Sequence, residues 1–289
     1  MTDYRPIDPA HDMDALAEVF YEADDELNVR HGMPKTPRNP MPLLRLFDHI
    51  VRESPERGWL AERDGRVEGF GIGAQRADMT FLSFLFVRPD AQASGVGRAL
   101  LERAMVDSEY RAVCIGSMQP ISAALYAQYD MVPRVPMYMF SGKPTKALRA
   151  LPAGHEIGPV SVDAVADLDR EVTGLTRPND HAAWEKWDRR RLGLYESGNL
   201  VGYGYVQPVG RLGPVVVNEA EHLLPFVGAL MERMPDVDTW LLNVPGAAAE
   251  TFETLLKAGL RLEGPPVVYC ATELRIDHSR YVPSTFALP

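Results

Sequence analysis

The pattern of apolar and polar residues along the first 141 positions predicts strands interleaved with helices. Asp64-Gly65, between two apolar runs, is a strong hairpin signal, because both residue types adopt the positive φ that a two-residue turn requires. The predicted elements are, in chain order, a strand near Tyr4 to Ile7, helices at about Met13 to Asn28 and Met41 to Glu53, a hairpin of Trp59 to Arg63 and Val67 to Arg76, a long strand at Met79 to Val87, a helix from about Arg98 to Met105, a strand at Arg111 to Ile115, a helix at Ile121 to Tyr129 and a final strand pair around Val135 to Phe140. This order predicts an α/β chain (α+β, mixed sheet) with helices on both faces of the sheet.

The segment with the clearest chemistry joins the long strand to the next helix. Residues 85–97 read Leu-Phe-Val-Arg-Pro-Asp-Ala-Gln-Ala-Ser-Gly-Val-Gly, which is a strand end, a proline turn and a glycine-rich loop. Free backbone N–H groups at a helix N-terminus attract anions, and Gly95 and Gly97 let phosphate oxygens approach the backbone or adopt the positive φ of an anion-binding nest. No acidic side chain lies between Gln92 and Leu101. The segment predicts a pyrophosphate cradle; the alternative is an ordinary strand-to-helix turn whose glycines serve packing.

The spacing Gln-x-x-Gly-x-Gly after Val-x-Pro resembles the acetyl-CoA-binding motif of the GNAT superfamily of N-acetyltransferases. The order of elements over residues 1–141 is similar to the GNAT fold. In that family the splayed end of the long strand presents backbone groups to the pantetheine arm, a role that would fall on Leu85 and Val87. The resemblance implies acetyl-CoA as cosubstrate, bound by Leu85, Phe86, Val87, Gln92, Ala93, Ser94, Gly95, Val96, Gly97 and Arg98.

The segment from Ala124 to Arg134 resembles the family's Leu-Tyr-x-x-x-Gly-Phe-x-x-Arg motif, with Asp130 and Met131 in place of Gly and Phe. The family tyrosine maps onto Tyr126, and the resemblance implies that it is the catalytic residue that protonates the leaving thiolate. A phenol suits this role because its ordinary pKa of about 10 keeps it protonated at neutral pH. Tyr129 is the alternative, and for either residue the competing interpretation is a core aromatic side chain.

A general base for the attacking amine is harder to identify. Many family members carry a carboxylate on the long strand, but Thr80 to Val87 contains none. The substrate-site candidates are therefore Asp24, Asp25 and Glu26 at the end of the first helix, together with Ser83, which could relay a proton through water. The competing interpretations are a solvated acidic helix face and a serine bonded within its own sheet.

An internal repeat predicts two tandem GNAT-like domains. Residues 66–72 have a counterpart at 200–205, and each copy follows a turn glycine. The helix and tyrosine segments have later counterparts in the same order, and a proline- and glycine-containing stretch separates the copies. The predicted divisions are 1–145 as the acetyl-CoA-binding catalytic domain, 146–153 as linker, 154–275 as a degenerate GNAT-like domain and 276–289 as a C-terminal tail.

The second copy lacks the parts that predict chemistry in the first. The run from Gly213 to Leu223 has no glycine loop and carries Glu219 and Glu221, whose charges would repel a pyrophosphate, and Leu255 stands where the first copy has Tyr126. The second copy is therefore predicted to be structural or to shape the substrate site. Its sequence resembles the C-terminal domain of bacterial acetyltransferases of the YitH/HolE type.

Composition narrows the possible partners. The formal net charge of −10 disfavours a nucleic-acid surface and suits an amine-bearing substrate.

The two cysteines are predicted to be reduced strand residues, and no apolar run approaches the length of a membrane span, so the predicted location is cytoplasmic, with no membrane partner. The seven histidines have no recognisable metal-ligand spacing, so no metal is expected.

Together these features predict an acetyl-CoA-dependent N-acetyltransferase. The acceptor would be a small-molecule amine, the acetyl group would pass directly from the thioester, and the protein would be a monomer or homodimer. The alternative is a non-catalytic acyl-CoA-binding or regulatory module, which the missing strand carboxylate favours.

Overall fold

The computed structural model describes residues 1–105 and 107–288, which fold into two compact units. The first unit contains residues 1–114 and 120–131, and the second contains residues 115–119 and those from 132 onward. The predicted limits of the two sequence copies, at 145 and 154, stay a prediction. Pro289, the last residue of the predicted tail, lies outside the described residues. No helix in the described part of the chain is long and apolar enough to cross a membrane.

The first unit is a mixed sheet with helices packed on it. Its strands are β1 (Asp3–Pro6), β2 (Gly58–Arg63), β3 (Arg66–Arg76), β4 (Met79–Val87) and β5 (Tyr110–Gly116), and its helices are α1 (Met13–Arg30), α2 (Pro40–Glu53), α3 (Val96–Ala104) and α4 (Pro120–Ala127). Strands β1 to β4 pair antiparallel in chain order, and β5 pairs parallel with β4. The predicted mixed α/β fold is confirmed, and β4 begins and ends at the predicted residues.

Apolar side chains from α1 and α2 cover one face of this sheet. Phe47 of α2 contacts Phe70 and Phe84, with ring centroids 5.3 and 4.7 Å apart, and Phe20 of α1 contacts Phe86 at 4.8 Å. Because side chains alternate across a strand, the neighbours of Phe70 point to the other face, where α3 packs. The aromatic cluster therefore fixes which face of β3 is left for α3.

Glycines on β3 allow α3 to pack close to the other face. A Cβ on Gly73 would lie 2.7 Å from the carbonyl oxygen of Ala104, and one on Gly71 would lie 3.3 Å from that of Leu100. Real Cβ atoms do not approach a backbone oxygen as closely as 2.7 Å, so Gly73 cannot gain a side chain unless α3 moves. The alternating glycines of β3 are thus explained by helix–sheet packing.

The second unit repeats the order of elements of the first. Its strands are β6 (Val132–Gly142), β7 (His155–Gly158), β8 (Arg190–Glu196), β9 (Asn199–Val206), β10 (Leu212–Val217), β11 (Trp240–Pro245), β12 (Arg261–Leu262), β13 (Val267–Ala271) and β14 (Tyr281–Val282), and its helices are α5 (Val162–Thr173), α6 (Pro178–Lys186), α7 (Leu223–Glu232) and α8 (Ala249–Lys257). From β7 to α8, each element has a counterpart between β1 and α4. In β9 a Cβ on Gly204 would lie 2.6 Å from the Cδ1 atom of Leu230 in α7, so the same close packing recurs.

The predicted strand pair around Val135 to Phe140 is wrong. The segment is one long strand, β6, and its partners come from much later in the chain: β11, β12 and β13 all pair antiparallel with it. Local sequence patterns could not predict this arrangement, because the pairing joins residues 98 or more positions apart. A second set of strands, in the order β14-β10-β9-β8-β7, completes the second unit.

A buried ion pair lies in the core of the second unit. Arg177 donates to both carboxylate oxygens of Asp169, at 2.9 Å from Nε and 2.7 Å from Nη2, and the two residues are 2% and 1% exposed. Tyr203 donates its hydroxyl to the same carboxylate at 2.6 Å, and Arg177 donates to the hydroxyl of Tyr281 at 3.1 Å. Burial alone would raise the pKa of Asp169, but the charge of Arg177 and the surrounding hydrogen bonds hold that pKa below its usual value.

Candidate active site

The predicted cradle is a loop between β4 and α3 in which consecutive backbone N–H groups donate no hydrogen bond to the described part of the protein. Ala93 has φ +60° and Gly95 has φ +92°, and α3 begins at Val96. Within the described residues, no hydrogen bond is donated by the amides of residues 93–98. Because these groups are turned by two left-handed residues and end on a helix N-terminus, they form the kind of concave donor surface that binds phosphate.

Glycines keep this donor surface open. A Cβ built on Gly95 would meet no atom within 4 Å, and one on Gly97 would lie 3.6 Å from the Cγ2 atom of Val87, an ordinary contact. A Cβ on Gly95 would therefore point into open space. The cradle fits a pyrophosphate, because it offers donors, has room and carries no acidic side chain from Gln92 to Leu101.

Side chains of the loop hold its own shape. Gln92 donates from Nε2 to the carbonyl oxygen of Val87 at 3.0 Å, and Ser94 donates from Oγ to that of Ala91 at 2.6 Å. Arg98 donates to the Oε1 atom of Gln128 at 2.6 Å, which ties the start of α3 to the chain after α4. Of the ten predicted coenzyme-binding residues, these three therefore have structural partners for their side chains, and the backbone amides of Ser94 and Arg98 donate no hydrogen bond among the described residues.

The strand beside the cradle separates from its neighbour. Pairing between β4 and β5 extends only from Met79–Tyr110 to Leu82–Val113, so residues 84–87 keep a strand partner only in β3. The register between β3 and β4 also shifts around Ser83, and the Oγ atom of Ser83 is buried with no hydrogen-bond partner among the described residues. Leu85, Phe86 and Val87 follow on this edge, half-buried. The pairing of β4 with β5 therefore ends before the loop begins, and the coenzyme-binding role of residues 85–87 stays a prediction.

The two candidate tyrosines differ in their surroundings. Tyr126 lies on α4 and is 6% exposed. Tyr129 lies beyond the end of α4, where its hydroxyl donates to the Oε1 atom of Glu102 at 2.6 Å. Burial and the Glu102 carboxylate raise the pKa of Tyr129. Because the Tyr129 proton is directed to Glu102, Tyr129 is poorly placed to donate it elsewhere.

The three acidic candidates of α1 are engaged in local contacts. Asp25 is buried and forms an ion pair with Arg38 at 2.7 Å, Asp24 accepts from Asn28 at 3.0 Å, and Glu26 pairs with Arg30. Thr36 also donates to Asp24 from its hydroxyl and to Asp25 from its backbone amide. These bonds hold the loop after α1 against the helix, which is the structural interpretation of this acidic cluster; a role in substrate binding stays a prediction.

The second unit has a different arrangement at the corresponding helix. A short 3-10 turn (Ala220–His222) leads into α7, and no glycine lies between Val217 and Leu223. Leu255, the counterpart of Tyr126, is fully buried in α8. The groups at the start of α7 are His222 and two glutamates, which cannot form an anion cradle of the kind seen before α3.

Comparison with known proteins places this site in a family. Residues 19–127 match the sequence model of the Acetyltransferase (GNAT) family, a range that includes the cradle, the splayed strand and Tyr126. No curated protein matches the chain. This match supports acyl transfer from acetyl-CoA as the general reaction of residues 19–127.

Solved structures extend the likeness to the whole chain. A protein from Pyrococcus horikoshii with a proposed acetyltransferase activity superposes with a TM-score of 0.76 at 16% identity, covering 100% of this chain and 96% of the other. A GCN5-related N-acetyltransferase from Sphaerobacter thermophilus gives 0.64 at 17% identity over 96% and 98%, and a tandem GNAT protein from the clavulanic acid biosynthesis pathway gives 0.58 at 17% over 94% and 98%. At these identities the likeness shows the fold alone. Residues 19–127 therefore belong to a GNAT acetyltransferase domain, within a chain that has the tandem two-domain GNAT fold.

Proposed function

We propose that this protein is an acetyl-CoA-dependent N-acetyltransferase that acts on a small amine through its first copy. One observation carries the proposal: the amides of residues 93–98 donate no hydrogen bond among the described residues, and they follow the end of β4, which is no longer paired with β5. The amides would bind the pyrophosphate of the coenzyme, and the free edge of residues 83–87 would pair with its pantetheine arm. Both parts lie within the range that matches the acetyltransferase family.

The proposed reaction is direct transfer. The amine nitrogen attacks the thioester carbonyl carbon, the C–S bond breaks, and the sulfur leaves as a thiolate that takes a proton from the Tyr126 hydroxyl. The nitrogen gives one proton to solvent as the amide forms, and solvent returns a proton to the Tyr126 oxygen. Tyr126 is preferred over Tyr129 because the family tyrosine maps onto Tyr126, and because the Tyr129 hydroxyl donates to Glu102. The ammonium form of the substrate must first lose a proton, and β4 offers no carboxylate for this step. The proton would pass to water near Ser83, or the amine would enter partly neutral.

Two variants at Gly97 test coenzyme binding. Gly97→Glu introduces a negative charge at the cradle, and Gly97→Gln introduces a side chain of the same length without the charge. Isothermal titration should give acetyl-CoA affinity at least about tenfold weaker for Gly97→Glu than for Gly97→Gln, because a like charge close to a phosphate costs more than about 1 kcal/mol. Equal affinities of the two variants, or no binding of millimolar acetyl-CoA to the unaltered protein, would contradict the cradle assignment.

A substitution at Tyr126 separates catalysis from binding. Tyr126→Phe should leave acetyl-CoA affinity unchanged and slow CoA release with a responsive amine by about 10²- to 10⁴-fold, because only the leaving-group acid is removed. Tyr129→Phe is the matched control and should keep most of the turnover. If Tyr129→Phe slows turnover more than Tyr126→Phe does, Tyr129 is the residue that protonates the thiolate. If acetyl-CoA binds but no amine in a panel of small amines is acetylated, the non-catalytic acyl-CoA-binding module is the better explanation.

A further inference from the structure

Three potential metal ligands come together in the second unit, from three separate elements. His155 begins β7, Glu196 ends β8 directly opposite it in the strand register, and His222 ends the 3-10 turn before α7. The Nε2 atoms of the two histidines are 3.3 Å apart, and the Nε2 atom of His155 is 3.7 Å from the Oε1 atom of Glu196. Their ligand atoms all lie within 4.8 Å of one another.

The second nitrogen of each ring indicates which atoms are free for a ligand. His222 contacts the Oδ1 atom of Asn218 through Nδ1 at 2.8 Å, so Nδ1 donates its proton there and Nε2 keeps a lone pair. This bond is typical of the outer partners that orient metal-binding histidines. The Nδ1 atom of His155 is buried with no partner in the part of the chain that the structure describes. If His155 carries its proton on Nδ1, two nitrogen lone pairs and a carboxylate face one another at close range.

The spacing of these atoms matches a tetrahedral cation. Two imidazole nitrogens bound to Zn²⁺ at about 2.0–2.1 Å in tetrahedral geometry lie about 3.3–3.4 Å apart. The two Nε2 atoms have this separation. The side chain of His155 is 4% exposed, whereas that of Glu196 is 50% exposed, so the carboxylate stands between the buried nitrogens and solvent. A small rotation of the Glu196 side chain would bring its carboxylate within bonding distance of a cation held by the two histidines.

We propose that His155, Glu196 and His222 bind one divalent transition-metal cation of the Zn²⁺ class. Two imidazoles and one carboxylate favour such a cation over Mg²⁺ or Ca²⁺, which prefer oxygen ligands. Three protein ligands leave the fourth position for water. The bound cation would tie the β7–β8 pair to the start of α7, where the first copy instead has its anion cradle. The proposal does not depend on acetyl transfer, and it departs from the expectation of no metal, which rested on spacing along the sequence.

The test uses the full-length protein after metal removal by a chelator. Titration with Zn²⁺ should give one site per chain, and Co²⁺ should give the intense visible absorption of tetrahedral coordination. Glu196→Gln and His222→Gln should each weaken Zn²⁺ binding by at least about 100-fold, and Asn218→Ala should weaken it about 10- to 100-fold because it loosens the His222 ring.

Two control variants define the background. Glu156→Gln changes an exposed carboxylate on the same strand as His155, and His31→Gln changes an exposed histidine of the first unit; both should bind Zn²⁺ like the unaltered protein. Glu196 is exposed enough that its variant should keep the melting temperature of the metal-free protein, so loss of binding cannot be ascribed to misfolding. Absence of Zn²⁺ binding in the unaltered protein, or unchanged binding in Glu196→Gln and His222→Gln, overturns the proposal.

Discussion

The strongest stability prediction concerns the buried pair of Asp169 and Arg177. Asp169→Asn keeps the shape of the side chain and removes its charge, so the buried Arg177 guanidinium loses the carboxylate that it contacts through both Nε and Nη2. Both residues are almost completely buried and their bonds are short, at 2.7 and 2.9 Å. Removing one partner of such a pair costs about 3–5 kcal/mol, because the remaining charge has lost both water and its partner.

This cost is large compared with the usual stability of a domain, about 5–15 kcal/mol. For a unit of this size, about 2–4 °C is lost per kcal/mol, so the melting transition of the second unit should fall by about 6–20 °C in scanning calorimetry of the full chain. Asp167→Asn is the control, since Asp167 lies on the same helix and pairs with Arg170 at 3.0 Å, but is 94% exposed. Its melting temperature should hardly change, because exposed ion pairs contribute little.

A double variant separates the loss of the charge from the loss of packing. In Asp169→Leu with Arg177→Met, both charges are replaced by apolar groups, so the loss should be smaller than in Asp169→Asn. Part of it should remain, because the buried hydroxyls of Tyr203 and Tyr281 lose their partners. Equal effects of Asp169→Asn and Asp167→Asn would refute the reasoning. So would a double variant that is as unstable as Asp169→Asn, because the unpaired charge would then not be the main cost.

The remaining predictions concern acid sensitivity and one turn. His278 is buried and contacts the carbonyl oxygen of Ile276 through Nδ1 at 2.9 Å, and burial lowers its pKa to about 4. As the pH falls below about 6.5, His278 binds a proton in the unfolded chain before it does so in the folded chain, so up to about 3 kcal/mol of stability is lost by pH 4. Urea unfolding at pH 7 and pH 5 should show a smaller loss of stability for His278→Gln than for the unaltered protein. An identical loss would contradict this assignment. Asp130 has φ +62° after α4, so Asp130→Ala should be about 1 kcal/mol less stable than Asp130→Gly, and equal melting temperatures would show that the turn is unstrained.

The parts of the fold that could be predicted are those set by neighbouring residues. Strand β4 was predictable to the residue, because it lies between a turn and a proline, and the β2–β3 hairpin follows from Asp64 and Gly65, which both have positive φ. Helix α1 continues to Arg30, two residues beyond the predicted end, since its last turn is fixed by bonds to the following loop. The cradle was predictable for the same reason, because its donors are consecutive residues.

Features that join distant parts of the chain could not be predicted. The partners of β6 begin 98 residues after its end, and the proposed metal ligands His155, Glu196 and His222 follow no short motif. The Asp169–Arg177 pair was equally invisible, because a charged residue on a helix is normally exposed and only the packed structure shows that this one is not. The acceptor site falls in the same class, since the acidic residues near the end of α1 were candidates by position and the structure shows that they have local partners.

The late pairing of β6 has a consequence for synthesis on the ribosome. The strand ends at Gly142, but its partners are completed only when the chain has grown through β11 to Ala271. At about 5–20 residues per second, both edges of a nascent β6 stay open for about 5–25 s, long enough to recruit a strand from another chain. Pro133 and Pro136 lie within β6, opposite Cys270 and Val268, and neither has an N–H group to offer. The two prolines thus remove hydrogen-bond donors from the open edge before the partner strands are synthesised. Replacing them should first increase aggregation during expression.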